Sequence, residues 1–265
     1  MTDAVRRPAL RRDEGVLHHA ERNEGVLHHA RCDEGVLHRA RGVAGGGVAC
    51  LLVAHGTRDP AGAAVVEALA SLVRRHVPDV RVAFADVRGP SVTDVLRECP
   101  GPAVVVPAFL AAGYHVRVDI PDQIAAAGVP AVLTPHLGPD LVTVARHRLA
   151  EAGWVPGQPV VLAASGSSDA RARAEVYRAA RLLGAARVGF VATSSPALED
   201  VLSPGAAVAS WFLSPGLFHR RAVAAGADVT AAPLGAHPAV AELVVRRYRH
   251  AVRALHLDAA ASGCV

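Results

Sequence analysis

Val48-Ala-Cys-Leu-Leu-Val-Ala54, followed by His55-Gly-Thr-Arg-Asp-Pro60, is the stretch that decides the fold. An unbroken apolar run, with no alternation of polar side chains, suits a β-strand buried on both faces. Gly56 then suits a tight turn. Asp59-Pro60 reads as an N-cap followed by proline at the first helical position. Val65, Leu69, Leu72 and Val73 continue as a helical apolar stripe to about Arg75. A doubly buried strand that feeds directly into a helix is the repeating unit of parallel α/β folds.

The unit recurs downstream. Residues 80–86 predict a second strand, and Ser91-Val-Thr-Asp94 is a capping box that opens a short helix. Residues 103–106 predict a third strand ended by Pro107, a helix follows from about Pro121, and residues 131–134 predict a fourth strand. Pro139-Asp140 opens a helix carrying Leu141, Val144, Ala145 and Leu149. After a linker, Trp154-Val-Pro-Gly-Gln-Pro159, the pattern returns. Ala54-His-Gly-Thr57 matches Ala164-Ser-Gly-Ser167, and Gly89-Pro-Ser-Val-Thr-Asp-Val-Leu96 matches Ser195-Pro-Ala-Leu-Glu-Asp-Val-Leu202. Phe109-Leu-Ala-Ala-Gly113 matches Phe212-Leu-Ser-Pro-Gly216. Three matches in one order at similar spacing imply an internal duplication. The expected fold class is α/β: two homologous α/β domains at 44–153 and 160–256, each a four-stranded parallel sheet flanked by helices. They are expected to face one another across a cleft, with ligands outside the carboxyl ends of the strands.

Residues 1–43 carry a ten-residue repeat of the type Asp-Glu-Gly-Val-Leu-His-His-Ala, starting at Asp13, Asn23 and Asp33. They read as a disordered tail, and 257–265 as a second, short one. His18, His19, His28, His29 and His38 could hold metal loosely. Repeat expansion in GC-rich DNA, or a start codon set too far upstream, explains them with less.

Composition removes several classes. The 265 residues are 51% hydrophobic, which excludes bulk disorder, and 4% aromatic, which makes the core aliphatic. Apolar runs break at proline, glycine or charge well short of the roughly 18 residues a membrane span needs. The N-terminus lacks an apolar signal core, so a cytoplasmic protein is expected. All 28 basic residues are Arg, against 24 acidic residues, for a net charge of +4. That is too sparse for a nucleic-acid stripe and suits a small polyanionic ligand. Cys32, Cys50, Cys99 and Cys264 form no C-x-x-C pair, which excludes a zinc ribbon, a thioredoxin motif or a local iron–sulfur loop.

His55 and His115 follow the first and third strands. The duplication supplies a control: His55 corresponds to Ser165, and His115 to Phe218, with His219 one residue away. The scaffold therefore does not require imidazole at either point, and the asymmetry points to chemistry in the first half and support in the second. Neutral imidazole binds Fe2+, Co2+, Ni2+ and Zn2+. A structural zinc site wants four ligands, so two histidines with open positions suit a metal held in passing. The bland alternative is a pair of histidines satisfied by backbone. The turn 55–60 also has the form of a helix N-terminal anion site, but it lacks the G-x-G-x-x-G and P-loop signatures. Ala164-Ser-Gly-Ser-Ser168 lacks the G-x-S-x-G of a serine hydrolase.

Leu51-Leu-Val-Ala-His-Gly-Thr-Arg-Asp-Pro60, taken with Val105-Val-Pro-Ala-Phe-Leu-Ala-Ala-Gly-Tyr-His-Val-Arg-Val-Asp-Ile-Pro121, resembles the sirohydrochlorin chelatases, the class II CbiX/SirB type in its long two-domain form. The family has a strand-end His-Gly-Ser turn and a Pro-x-Phe-Leu-x-x-Gly-x-His segment followed by Asp-[Ile/Val]-Pro. The similarity covers about 48–250. It implies a lyase that inserts a divalent metal, Fe2+ for siroheme or Co2+ for cobalamin, into sirohydrochlorin, with no organic cofactor. Ni2+ is not distinguished by imidazole ligands. The implied metal-binding and catalytic residues are His55 and His115, and the implied substrate contacts are Leu110, Ala111, Ala112, Gly113 and Tyr114. Gly89 falls where the family often has a carboxylate and keeps only a backbone contact. Thr57 replaces the commoner Ser. Asp86 and Asp119 are candidate helpers. Sirohydrochlorin has eight carboxylates, for which Arg58, Arg117, Arg220 and Arg221 are candidate partners. One His cannot both hold metal and accept a pyrrole proton, so the roles alternate or water takes the protons. No nucleic acid or membrane partner is implied, and either a monomer or a homodimer is compatible. The rival reading is a tetrapyrrole or metal carrier without turnover.

Overall fold

A computed structural model describes residues 47–262. The histidine repeats, Cys32 and Cys264 lie outside the described residues, as does the expected boundary near 44.

The first half places β1 (Ala49–Ala54), β2 (Val80–Phe84), β3 (Ala103–Pro107) and β4 (Ala131–Leu133) in one parallel sheet of order β2-β1-β3-β4. The helices between them are α1 (Pro60–Arg74), α2 (Val92–Arg97), α3 (Ile120–Ala127) and α4 (Val142–Glu151). The second half repeats the plan. Strands β5 (Val160–Ala164), β6 (Arg187–Phe190), β7 (Ala207–Ser210) and β8 (Val229–Thr230) pair in the order β6-β5-β7-β8. They alternate with α5 (Ala170–Leu183), α6 (Leu198–Val201), α7 (Leu217–Ala224) and α8 (Pro238–Ser262).

Period-two geometry sorts the strand residues by face. Cys50, Leu52 and Ala54 of β1 point to the same core as Leu162 and Ala164 of β5, so one continuous core joins the two sheets. The α1 stripe of Val66, Leu69, Ala70 and Val73 and the α4 residues Val144, Ala145 and Leu149 fill it. Ala49, Leu51 and Val53 face the other way, onto α2 and α3, and Val161 and Ala163 face α6 and α7. Both faces of each sheet are covered, which is why the strands read as unbroken apolar runs. Burial pushes the Cys50 thiol up to about 12, so it is inert packing material.

The halves are not self-contained. Helix α4 packs on β7 and α5, and α8 packs on α1 and β3, so each half is closed by the last helix of the other. Tyr248 Oη of α8 donates to the Val48 carbonyl at 2.6 Å, and Arg148 of α4 donates to the Leu234 carbonyl at 3.0 and 3.2 Å. A cut at 153 is thus a boundary in the chain, not in space. Local differences are smaller. A π-helical turn (His115–Asp119) precedes α3, a 3-10 turn (Gly138–Leu141) precedes α4, and α8 runs on to Ser262, past the tail expected from 257.

Candidate functional site

Strand order reverses direction between β1 and β3, which makes the carboxyl ends of these two strands the switch point of the sheet. His55 follows β1 directly. Gly56, at φ +98°, turns the chain beneath it, and a Cβ there would collide with the Asp86 carbonyl. Thr57 Oγ1 accepts from the Asp59 amide at 3.1 Å, and Asp59 Oδ1 accepts from the Ala61 amide at 3.0 Å. The Asp59 carboxylate already serves the Ala61 amide and the Asp59 carbonyl the Gly62 amide, which argues against the anion-site reading of the turn. His115 is carried to the same place by the loop after β3 and opens the π-helical turn.

The two rings meet edge to face, with centroids 4.4 Å apart at 88°. Phe109 flanks both, at 6.3 Å from His55 and 6.4 Å from His115. His55 Nδ1 donates to the Gly56 carbonyl at 3.1 Å. His115 Nδ1 donates to Asp119 Oδ2, one turn along the same helix. A carbonyl and a carboxylate can only accept, so both protons sit on Nδ1 and both Nε2 lone pairs are free. Carboxylate or carbonyl behind imidazole is the arrangement that orients metal-binding histidines. The protein around His55 displaces water and holds its pKa below the usual 6.5. The Gly56 hydrogen bond opposes that shift, the neighbouring His115 adds to it, and Asp86 and Asp119 oppose it. A depressed pKa keeps the lone pair available at neutral pH. Among the described residues, no group of three or more His, Cys, Asp or Glu is placed to hold a metal. The pair therefore leaves most positions of an ion open.

The other expected site residues surround the pair. Leu110, Ala111, Ala112 and Gly113 are half-buried, and Tyr114 stands at the rim with 61% of its surface exposed and its ring 6.1 Å from His115. Gly89 is exposed in the loop after β2, and no heavy atom would crowd a Cβ there. Asp86 turns back on its own loop, accepting from the Val87 amide at 2.6 Å. Two of the candidate arginines are engaged elsewhere. Arg117 pairs with Asp169, the N-cap of α5, and Arg220 pairs with Asp59, the N-cap of α1, at 2.6 Å. These are matched ion pairs between the halves, so neither guanidinium is free for a ligand as the structure stands. Arg221 donates to the Val191 carbonyl, and Arg58 is exposed beside His55. His219 faces the Ala231 carbonyl at 3.3 Å, so the second half has no imidazole at the matched place.

Sequence reading overlooked Glu175. This α5 carboxylate accepts from the Ala112 amide at 2.7 Å, and His136 Nε2 lies 3.1 Å from the same oxygen, off the hydrogen-bonding axis. The signal was present in the duplication, where an inward polar residue on α5 replaces Val65 of α1. A shallow hollow lined by Leu202, Pro204, Ala225 and Asp228 lies at the amino ends of β7 and β8, away from the histidines.

The CbiX family model matches residues 49–152, the first half of the pair. A sirohydrochlorin cobaltochelatase of Sulfurisphaera tokodaii is 30% identical over 108 residues, 38% of this chain and 90% of that protein. The sirohydrochlorin cobaltochelatase of Methanothermobacter thermautotrophicus is 35% identical over 79 residues, 28% of this chain. The match spans only 55% of that relative's length. Both halves are covered by the solved structure of CbiX, described as the terminal enzyme for biosynthesis of siroheme in denitrifying bacteria. It is 28% identical, with a TM-score of 0.61 over 77% of this chain and 99% of that one.

Proposed function

As the chain belongs to the sirohydrochlorin chelatase family, we propose that it inserts Fe2+ or Co2+ into sirohydrochlorin at His55 and His115. One observation carries the reading: two imidazoles 4.4 Å apart, each with Nδ1 committed to an acceptor and Nε2 free. The metal is a substrate. Two ligands hold it while most of its coordination sphere stays open to the incoming pyrrole nitrogens. Holding ion and ring together converts an encounter into a positioned reaction. With both Nε2 atoms on the ion, the two pyrrole protons leave to water, which the exposed edge of His55 admits. Tyr114 at the rim offers an aromatic face to the macrocycle. Arg58, exposed in the turn three residues after His55, is the candidate partner for its peripheral carboxylates, while Arg117 and Arg220 pair across the halves. Imidazole ligands accept both iron and cobalt.

The test is anaerobic mixing of substoichiometric protein with excess sirohydrochlorin and Co2+ or Fe2+, followed by absorbance. Conversion of the excess supports catalysis, and a one-to-one spectral change that stops there indicates the carrier instead. His55→Ala and His115→Ala are each expected to abolish turnover, and full rates in both would remove the assignment.

A further inference from the structure

We propose that Glu175, in the half without the histidines, is a positioning residue that fixes the Leu110–Tyr114 loop for the tetrapyrrole; this rests on the chelatase reading above. Leu110 and Ala111 of the loop pack on the shared core, but Ala112 and Gly113 beyond them are small and Tyr114 is exposed, so this end of the loop depends on hydrogen bonds. Two anchors hold it. The Phe109 carbonyl accepts from the Leu137 and Gly138 amides at 3.1 Å each, and the Ala112 amide donates to Glu175 Oε2 at 2.7 Å. Glu175 is well suited to the task, because α5 is fixed by a buried stripe of Val176, Ala179, Ala180 and Leu183. Burial pushes its carboxyl up, but the His136 and Ala112 contacts together with the nearby Arg117 charge outweigh that and hold it below the usual range. It therefore accepts as a carboxylate.

The duplication isolates the feature. Ala112 is the fourth residue of its motif and Pro215 the fourth of the matching one, and proline has no N–H to donate. Glu175 lies six residues after the N-cap Asp169, where Val65 lies six after the N-cap Asp59. His136 precedes Leu137, whose amide meets the Phe109 carbonyl. Its counterpart Pro233 precedes Leu234, whose amide meets the Phe212 carbonyl at 2.9 Å. The scaffold contacts are kept in both halves. At the symmetry-related contact, where the loop of the second half meets α1, donor, acceptor and neighbouring imidazole are replaced by Pro215, Val65 and Pro233. A purely architectural bond would not sort in this way. Gly138 belongs to the same device, since a Cβ there would press on His136 Nε2 at 2.7 Å.

The experiment compares wild type, Glu175→Ala and Glu175→Gln in the full chain. Readouts are Co2+ insertion kinetics, Co2+ binding without tetrapyrrole, thermal unfolding, and hydrogen exchange of the Ala112 amide. Glu175→Ala is expected to raise KM for sirohydrochlorin about tenfold and to speed Ala112 exchange about as much, the scale of a lost charge-assisted hydrogen bond. Cobalt affinity should stay within about twofold, because His115 is oriented by Asp119 and not by Glu175. Glu175→Gln keeps an acceptor oxygen and is expected to restore KM. Wild-type turnover with unchanged KM and unchanged Ala112 exchange in Glu175→Ala overturns this inference alone. Parallel loss of cobalt binding also overturns it, by placing the effect on the metal pair or the fold. Wild-type protein that leaves sirohydrochlorin unmetallated overturns the chelatase reading and this one together.

Discussion

At the scale of single residues, the imidazole pair is governed by what stands behind each ring. Replacing Asp119 with Asn removes the carboxylate that fixes His115 and should weaken Co2+ binding by about 10–100-fold. A titration of the metal-free variant with cobalt checks this, and an unchanged affinity would mean that Asp119 serves only the helix turn. Displaced water and the facing imidazole lower the His55 pKa, so its ring resonances should titrate with a midpoint below 6.5. The sign follows directly: protons compete with metal at His55 only once pH falls through that lowered value. Replacing His115 with Ala removes the facing imidazole that helps to lower it and should move the midpoint up. Gly56 has a different constraint, a positive φ and no room for a Cβ against Asp86. Gly56→Ala should cost about 1–3 kcal/mol or more in urea denaturation, as strained backbone does.

At the scale of elements, the local signals were legible and the partnerships were not. The strand β1, the Asp59-Pro60 start of α1 and the Ser91-Asp94 capping box are all set by neighbours in sequence, and all are present. The π-helical turn left no periodic trace, because Val116, Val118 and Ile120 read equally well as loop. Arg117 and Arg220 read as free charges because their carboxylate partners lie in the other half of the chain. The same holds for α8, whose apolar stripe names no partner until α1 and β3 are seen beneath it. This yields a test. A chain ending before Pro238 leaves that face of the first sheet bare, so it should lose cooperative unfolding and aggregate. Adding residues 238–262 as a separate peptide should restore part of the cooperativity, followed by circular dichroism on heating. A cooperative, soluble truncation would show that α8 is dispensable.

At the scale of the whole molecule, the duplication sets the division of labour. Both halves keep the strand order, the Asp caps and the arginines that meet them, so the frame is two-fold in plan. The imidazoles and the Glu175 contact break that symmetry. Of the crossed ion pairs, Arg220–Asp59 has an exposed guanidinium and is open to screening, while Arg117–Asp169 is more enclosed. Raising salt should therefore loosen the halves before it affects the shared core. Ala112 amide exchange measured against ionic strength checks this, and no change up to about 1 M salt, where screening is nearly complete, would place the rigidity in the core alone.

The exchange of closing helices has a consequence for how such a chain could arise. A polypeptide holding one lobe only would own a terminal helix with no seat and a seat with no helix. It would be complete only beside a twin, each lending what the other lacks. Joining the twins end to end makes that loan permanent, and one of them can then shed its metal-handling groups without losing its shape.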